Sequence, residues 1–398
     1  MNKGAAGKAG WQAKRLDEVC EIIMGQSPDG DSYNVTGEGV PLINGPVEFS
    51  QGAFGKTTRS KFTTEPTKLC RENDLILCVR GSTTGRMNIA GFDACVGRGV
   101  AAIRAKEYQP WINHFISSKR DEIHRLGTGA TFPNVSGTML NDLQLPFPPL
   151  PEQRRIVGIL DEAFDGIATA KANAEKNLQD ARALFESHLQ SVFTQRGERW
   201  VERTLNDVCK QITDGKHGDC TGEDCSGYYF LSAKDVRGGT LNYEGARQIT
   251  RADFEETHRR TDLEPGDILV TNSGTIGRLA IAPSDDRTSR TTFQKSVAIL
   301  KPVRTAIDSR FAFHCLSSGL ARFVNLSAGT AQKNLLLRDL RAYRLALPQS
   351  VDQQQLLGIK LDALSAETQR LESIYRQKLA ALDALKKALL DQAFTGAL

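Results

Sequence analysis

The chain has 398 residues, of which 40% are hydrophobic and 25% charged, and its formal net charge is +4. This composition is typical of an ordinary soluble globular protein with two or three domains. No run of about 18 apolar residues occurs, which argues against a membrane span, and the segment Met1 to Gly10 lacks the apolar stretch of a secretory signal. We therefore expect a cytoplasmic protein.

The positive charge is concentrated in two large segments. Residues 1–150 carry 17 Lys and Arg against 15 Asp and Glu, and residues 198–349 carry 22 against 19. Residues 151–197 and 350–398 are nearly neutral. Affinity for phosphates grows with the number of charges neutralised, so this small excess permits DNA binding without demonstrating it.

The first segment, residues 1–150, is predicted to be a globular module. Short strand-like runs at Pro41–Ile43 and Leu75–Val79 lie among Gly, Ser and Thr turns, and a helical stretch covers Trp111–Leu126. These runs indicate an α+β fold, or a mixed α/β fold.

The second segment, residues 151–197, is predicted to be a long helix. Pro151 at a first helical position and the following Glu152 mark its start. Apolar or small residues recur in steps of three and four, which is typical of a coiled-coil seam. Lys171 and His188 interrupt this stripe, which consists of Leu160, Phe164, Ile167, Ala174, Leu178, Ala181, Phe185 and Val192.

The third segment, residues 198–349, repeats the first. Trp11-x4-Leu16 returns as Trp200-x4-Leu205, and Asp74-Leu-Ile-Leu returns as Asp267-Ile-Leu-Val. Strands are predicted at Tyr228–Leu231, Ile268–Thr271 and Val297–Leu300, and a helix at Arg310–Val324. We therefore expect a second module of the same α+β class.

The fourth segment, residues 350–398, repeats the long helix. It opens with the capping box Ser350-x-x-Gln353. Pro148-x4-Gln153 matches Pro348-x4-Gln353 at an offset of 200, and Phe193 matches Phe394 at 201. Thr368 interrupts its stripe, which consists of Leu357, Leu361, Leu364, Leu371, Tyr375, Leu382, Leu385 and Leu389.

Each helix of about 40 residues would extend roughly 60 Å, which is longer than a module of about 150 residues. Two amphipathic helices, each packed on its own module, are one interpretation. Since both carry the same kind of stripe, burial of one helix against the other is the simpler one.

Eight cysteines are spread along the chain, and free thiols are expected. His217, Cys220 and Cys225 leave two interpretations open, a metal site or a plain Gly-rich loop. A zinc site usually needs a second ligand pair, which does not follow here.

No catalytic constellation is found. Lys56-Thr57 lacks the first glycine and the preceding strand of a phosphate-binding loop. No Asp-Pro-Pro-aromatic or Asn-Pro-Pro-aromatic element of the amino-methyltransferases is present. The duplicated turns Gly85-Arg86 and Gly277-Arg278 can be interpreted as phosphate-cradling loops or as purely structural turns.

Several segments, in this order and doubled, resemble the specificity subunit of type I restriction–modification systems over essentially the whole chain. They are Gly25-Gln-Ser-Pro28, Tyr33 to Ile43, Leu145-Pro-Phe-Pro-Pro-Leu-Pro-Glu-Gln153, Ile212-Thr-Asp-Gly-Lys-His-Gly218, Gly266 to Arg278 and Ala393-Phe-Thr-Gly396. The second helix start, Leu347-Pro-Gln-Ser-Val-Asp-Gln353, departs from the pattern because it lacks the Pro-Pro and the Glu.

The resemblance implies two target recognition domains, each specific for one half of a split double-stranded DNA site. It implies that the two helices pack antiparallel as a spacer and that the subunit itself is not an enzyme. Two methyltransferase subunits would modify adenine with S-adenosylmethionine, and restriction subunits would use ATP and Mg. No cofactor is expected in this chain.

Polar loop residues are the candidates for DNA contact, since Arg and Lys favour guanine while Asn and Gln favour adenine. The candidates are Gln26, Ser27, Arg80, Thr83, Arg86, Thr131, Asn134, Lys216, His217, Lys234, Asn272, Thr275, Arg278, Gln332, Lys333 and Asn334. Two other functions compete with this one. A fused or standalone DNA methyltransferase would need a cofactor-binding βαβ domain, and a coiled-coil scaffold would not bind DNA.

Overall fold

The computed structural model describes residues 10–127, 134–196, 199–319 and 334–398. The chain divides into two compact units, one formed by residues 1–175 with 377–398 and the other by residues 176–376. The helices Leu150–Thr194 and Val351–Thr395, named here the first and second long helix, each contribute to both units. Each unit therefore contains one module and a part of each long helix.

The first module is built on an antiparallel four-stranded sheet, named here the first central sheet. Its strands, in spatial order, are Cys20–Met24, Val100–Ala105, Leu75–Cys78 and Met87–Ile89. A five-stranded sheet has the order Tyr33–Asn34, Lys61–Thr63, Val40–Ile43, Ala94–Val96 and Leu69–Cys70. The strands Gln12–Arg15 and Gln144–Phe147 pair separately, and the helices are Leu16–Val19, Gln109–Ser118, Arg120–Leu126 and Gly137–Asn141.

The second module contains a sheet of the same order and direction, the second central sheet. Its strands are Cys209–Asp214, Val297–Pro302, Ile268–Thr271 and Leu279–Ile281. The further strand pairs are Trp200–Thr204 with Arg344–Pro348, Tyr229–Leu231 with Thr291–Phe293, and Val236–Arg237 with Thr240–Leu241. The helices are Leu205–Val208, Arg251–Thr261, Ser309–Ser318 and Leu337–Ala342.

The mixed α+β fold with two related modules and two long helices is confirmed. The strand predicted at Ile268–Thr271 has those bounds, and the strand predicted at Leu75–Val79 ends at Cys78. The stretch Trp111–Leu126 forms two helices separated at Lys119. The predicted helix Arg310–Val324 is described only as far as Ser318, because residues from 320 onward lie outside the described ranges.

The end of the second long helix packs on the first module. Phe394 lies against Trp111 and Phe115, with ring centroids 4.7 and 5.5 Å apart. Within this unit the long helices run antiparallel, since Arg155 donates a hydrogen bond to the Leu398 carbonyl (2.8 Å) and Lys171 pairs with Asp383 (2.7 Å). The interpretation that each helix packs only on its own module is therefore wrong.

The second unit has the equivalent arrangement, with the roles of the two long helices exchanged. Phe193, at the end of the first long helix, packs on Phe311 and Trp200, with centroids 5.4 and 6.3 Å apart. Arg182 of the first long helix pairs with Glu372 of the second at 3.0 Å. Each module is thus covered by the end of the helix that belongs to the other repeat.

A histidine–aspartate pair joins each module to the start of its own long helix. His114 Nε2 lies 2.8 Å from Asp161, and His314 Nε2 lies 2.7 Å from Asp362. Both histidines are buried. Burial lowers the pKa of His114, against the opposing effect of Asp161, and the ammonium of Lys386 lowers it further.

Two predictions about the second long helix are wrong, one on its alignment with the first and one on its seam. The buried side chain of Gln153 donates to the Pro148 carbonyl (2.9 Å), and the corresponding bond to Pro348 comes from Gln354 (2.8 Å), not from Gln353. The offset is therefore 201 from the start of the long helices to their ends. Leu385, predicted in the seam, is 47% exposed, whereas Thr368, the polar residue that interrupts the predicted apolar stripe, is buried as its place in the stripe predicts.

Candidate nucleic-acid interface

The first strand of each central sheet leads into a loop that passes very close to the neighbouring backbone. A Cβ on Gly25 would lie 2.2 Å from the Gly97 carbonyl oxygen, and a Cβ on Gly215 would lie 1.9 Å from that of Phe293. Only glycine fits such an approach. The loops that follow carry Gln26 and Ser27 in the first module and Lys216 and His217 in the second.

The third strand in spatial order leads to the same edge of each sheet. In the first module Arg80 forms an isolated β-bridge with Asn134, and in the second module Ser273 forms one with Asn334. The Val135 N–H donates to the Val79 carbonyl (2.9 Å), and the Leu335 N–H donates to the Asn272 carbonyl (2.7 Å). The backbone at this edge therefore has the same hydrogen bonds in both modules.

In the second module these loops surround a cleft of about 410 Å³, named here the second-module cleft. Three predicted candidates line it: His217, Asn272 and Asn334. Lys234 lines an adjoining cleft that shares Ser273 and Lys295 with the first one. The structure thus brings four sequence-predicted residues to one edge of the second central sheet.

His217 is held in place by a carboxylate that was not among the candidates. Its Nε2 lies 3.1 Å from Asp214 Oδ2, and Arg260 pairs with the other oxygen of that carboxylate. Asp214 is buried, while the imidazole of His217 is 63% exposed. His217 is therefore oriented toward solvent and can contact a ligand.

Lys216 is positioned differently from its neighbours. Its ammonium pairs with Asp253 (3.1 Å) and Glu256 (3.0 Å) of the helix Arg251–Thr261. These carboxylates raise the pKa of Lys216. The hydrogen bond from the Thr221 N–H and, to a smaller extent, the one from the Lys216 ammonium lower the pKa of Asp253 to about 2. Lys216 therefore holds this helix on the module, and its charge is largely compensated within the protein.

The duplicated Gly-Arg turns line other clefts. Arg86 lines a cleft of about 660 Å³ with Arg120 and Lys386, and Arg278 lines one of about 450 Å³ with Arg237 and Phe313. Gly85 and Gly277 both have φ +85°, where glycine is strongly favoured. This geometry favours the structural interpretation of these turns.

The remaining candidates are distributed as follows. Gln26 and Thr275 are exposed, and Ser27 and Thr83 are partly exposed. The Ser27 hydroxyl accepts a hydrogen bond from the Arg98 N–H at 3.4 Å. Thr131, Gln332 and Lys333 lie outside the described residues.

Sequence reasoning missed two exposed cations at this edge. Arg98 and Lys295 occupy the same position, two residues before the strands Val100–Ala105 and Val297–Pro302. Arg98 and Lys295 are 197 residues apart, and so are the first residues of the strands that follow them. This common offset was a signal in the sequence. Asp214 could not be recognised in this way, because its counterpart in the first module is Met24.

In the described part of the chain, no three His, Cys, Asp or Glu side chains are close enough together to hold a metal ion. The described helices also include none that is both long and apolar enough to cross a bilayer.

Both repeated modules match one known protein family. The family described as "Type I restriction modification DNA specificity domain" matches residues 8–178 and again residues 197–380. The chain belongs to this family. The two matches correspond to the two repeats.

Individual members of the specificity family are similar over different lengths. The EcoBI specificity subunit of Escherichia coli is 24% identical over 98% of this chain and 86% of its own length. The EcoKI specificity subunit of Escherichia coli K12 is 22% identical over 99% and 91%. The putative MjaX specificity subunit of Methanocaldococcus jannaschii is 32% identical, but over only 43% of this chain and 40% of its own length.

Two solved structures share the fold of this chain. A chain from work on complex assembly and conformational transition of the type I R-M system aligns with a TM-score of 0.79 and 19% identity, covering 98% of this chain and 99% of its own. The HsdS subunit of Thermoanaerobacter tengcongensis aligns with a TM-score of 0.63 and 18% identity, covering both chains fully.

Proposed function

We propose that each module binds one half of a bipartite double-stranded DNA site and that the chain itself catalyses no reaction. The observation that supports this most is the common edge of the two central sheets. Its backbone hydrogen bonds are the same in both modules, but several of its side chains differ, such as Arg80 in the first module and Ser273 in the second. Two similar frames with different polar groups suit recognition of two different base sequences.

The catalytic partners in this proposal are two methyltransferase subunits, with restriction subunits in the full complex. The partners bind S-adenosylmethionine, ATP and Mg, and this chain supplies the DNA sequence specificity. The direct test is to sequence the methylated adenines in cells with and without this chain. Methylation of one split sequence should occur only when the chain is present. Unchanged methylation in its absence would contradict the proposal.

The two long helices are proposed to set the gap between the half-sites. Each has 45 residues, so each is about 68 Å long at 1.5 Å per residue. One heptad inserted after Asp180, with another after Ile374, keeps the register of the Arg182–Glu372 pair and adds about 10 Å.

The gap in the methylated site should then lengthen by about three base pairs, or activity should be lost. A control variant, in which the same heptads replace resident residues, should keep the original gap. An unchanged gap with full activity in the insertion variant would exclude a ruler function.

The long helices are also proposed to bind the methyltransferase subunits. Leu184 is 67% exposed and Leu385 is 47% exposed, and the two are related by the helix offset of 201. An exposed leucine offers apolar area that a partner can bury at an interface. Two equivalent sites on one chain suit two copies of the same partner.

Leu184→Asp should weaken binding of one methyltransferase subunit about tenfold or more, and Leu184→Asp with Leu385→Asp should weaken binding of both. Native mass spectrometry of the complex measures the stoichiometry. The charge-matched variant Gln179→Asp, at an exposed polar position, should retain two subunits. Full occupancy in the double variant would place the docking surface elsewhere.

A further inference from the structure

The second-module cleft contains an amide group that the described residues leave incompletely hydrogen-bonded. Asn272 is 7% exposed, and its Oδ1 has no hydrogen-bond partner among them. A buried polar group without a hydrogen-bond partner destabilises the folded state. The side chain lines the cleft, so a ligand there can supply the missing bond.

The first module shows what the same position looks like without an amide. The Asn272 N–H donates to Ser296 and the Val79 N–H donates to Gly99, so Val79 is the counterpart of Asn272. Val79 is buried in the apolar core of the first module. Because a valine occupies the equivalent backbone position in the first module, the fold does not require an amide there.

A second polar residue of the second-module cleft also has an apolar counterpart in the first module. Asp214, which holds His217 at the cleft, has the apolar counterpart Met24. The ammonium of Lys295 is exposed at the rim, and it forms no ion pair with the described residues. Cations of this kind bind phosphates, whereas amides bind base edges.

We propose that Asn272 determines base specificity at one position of the second half-site, which rests on the proposed function above. An amide has an acceptor oxygen and donor hydrogens, and rotation of its terminal bond presents either end to the cleft. This pair matches the N6 donor and N7 acceptor of adenine. The ligand class is therefore an adenine edge in double-stranded DNA, with Lys295 on a neighbouring phosphate.

The test uses the assembled methyltransferase complex and a library of random DNA, with methylated sequences read by sequencing. The wild-type complex should show one adenine position in the second half-site whose preference Asn272→Val reduces by about 5- to 150-fold. The first half-site should not change. Asn206→Val, at an exposed position of the same module, is the matched control and should leave both halves intact.

Thermal unfolding of the variants separates loss of contact from loss of fold. If Asn272→Val unfolds, the isosteric Asn272→Asp decides, since a carboxylate accepts from cytosine N4 and should move the preference toward cytosine. An unchanged second half-site in a folded variant would overturn the inference, and so would altered preferences in both halves. If the wild-type complex methylates no defined split site, the proposed function fails instead.

Discussion

The two modules share a frame and differ in what is inserted into it. Both central sheets have the same strand order, and both modules place a helix with a buried histidine against a long helix. Between the first and third strands in spatial order, the first module has most of a five-stranded sheet. The corresponding segment of the second module has the single strand Tyr229–Leu231, one small strand pair and the helix Arg251–Thr261. The largest differences in secondary structure between the modules therefore lie in the inserted segments.

The shared frame includes a buried ion pair at the same place in each module. Lys301 lies 2.8 Å from Asp267, and both side chains are almost fully buried. The counterparts, Arg104 and Asp74, are 2.7 Å apart, and Arg104 is 19% exposed and also pairs with Glu21. Burial raises the pKa of Asp267, against the opposing effect of Lys301. The pair in the second module is thus the more deeply buried one.

The largest expected effect comes from breaking these pairs. Lys301→Met leaves the Asp267 carboxylate buried without its cation, which should destabilise the second unit by about 3–5 kcal/mol. Arg104→Met should cost less, about 1–3 kcal/mol, because solvent already reaches that pair. Hydrogen exchange of the central strands measures the loss in each unit separately. Equal losses in both units would contradict the difference in burial.

A smaller effect is expected from the exchanged helix ends. Phe394→Ala should destabilise the first unit, and Phe193→Ala the second, each by about 2–3 kcal/mol, because both rings are only partly buried. Hydrogen exchange at Gln109–Ser118 and at Ser309–Ser318 reports the two contacts. Loosening of the helix at Ser309–Ser318 in Phe394→Ala would show that the ends pack differently from this structure.

The smallest effect is a pH dependence of the first unit. The folded state lowers the pKa of His114, so the unfolded chain binds a proton more readily. The stability contributed by neutral His114 is full above its unfolded pKa of about 6.5 and is lost as the pH falls toward the lower, folded pKa. After correction for its intrinsic pH dependence, hydrogen exchange should therefore report a lower free energy of opening for the first unit at pH 5 than at pH 7.

The variant His114→Gln should show a weaker pH dependence than the wild type over this range. The other charged groups near His114 are Asp161 and Lys386. Asp161→Asn keeps the histidine but removes its carboxylate partner, so the loss on acidification should become larger. A wild-type profile that matches His114→Gln would remove His114 as the cause.

The repeat and the long helices could be predicted from sequence because their signals extend over many residues. The seam was predicted from apolar residues in steps of three and four. Its phase near Leu385 was wrong, because such steps from Leu382 can lead to Leu385 or to its neighbour Lys386, and the apolar residue was chosen. Lys386 is partly buried instead, and its ammonium lies 4.7 Å from the centroid of the Phe164 ring. The Gln353 alignment failed for a similar reason, because three glutamines follow one another.

The candidate site was predicted only in part. The strands of the five-stranded sheet have two to four residues, too few for alternation to show, so the loops that it forms could not be placed. Residue type identified Asn272 and His217 as polar candidates. It could not show that Lys216 is neutralised by Asp253 and Glu256, because those contacts depend on the position of the helix Arg251–Thr261.

The central claim is that each module is responsible for one half of the DNA site. Exchange of residues 1–150 for the corresponding module of a relative, followed by sequencing of the methylated adenines, tests it most directly. One half of the methylated sequence should change, while the other half and the gap stay the same. A change in both halves, or in neither, would contradict it.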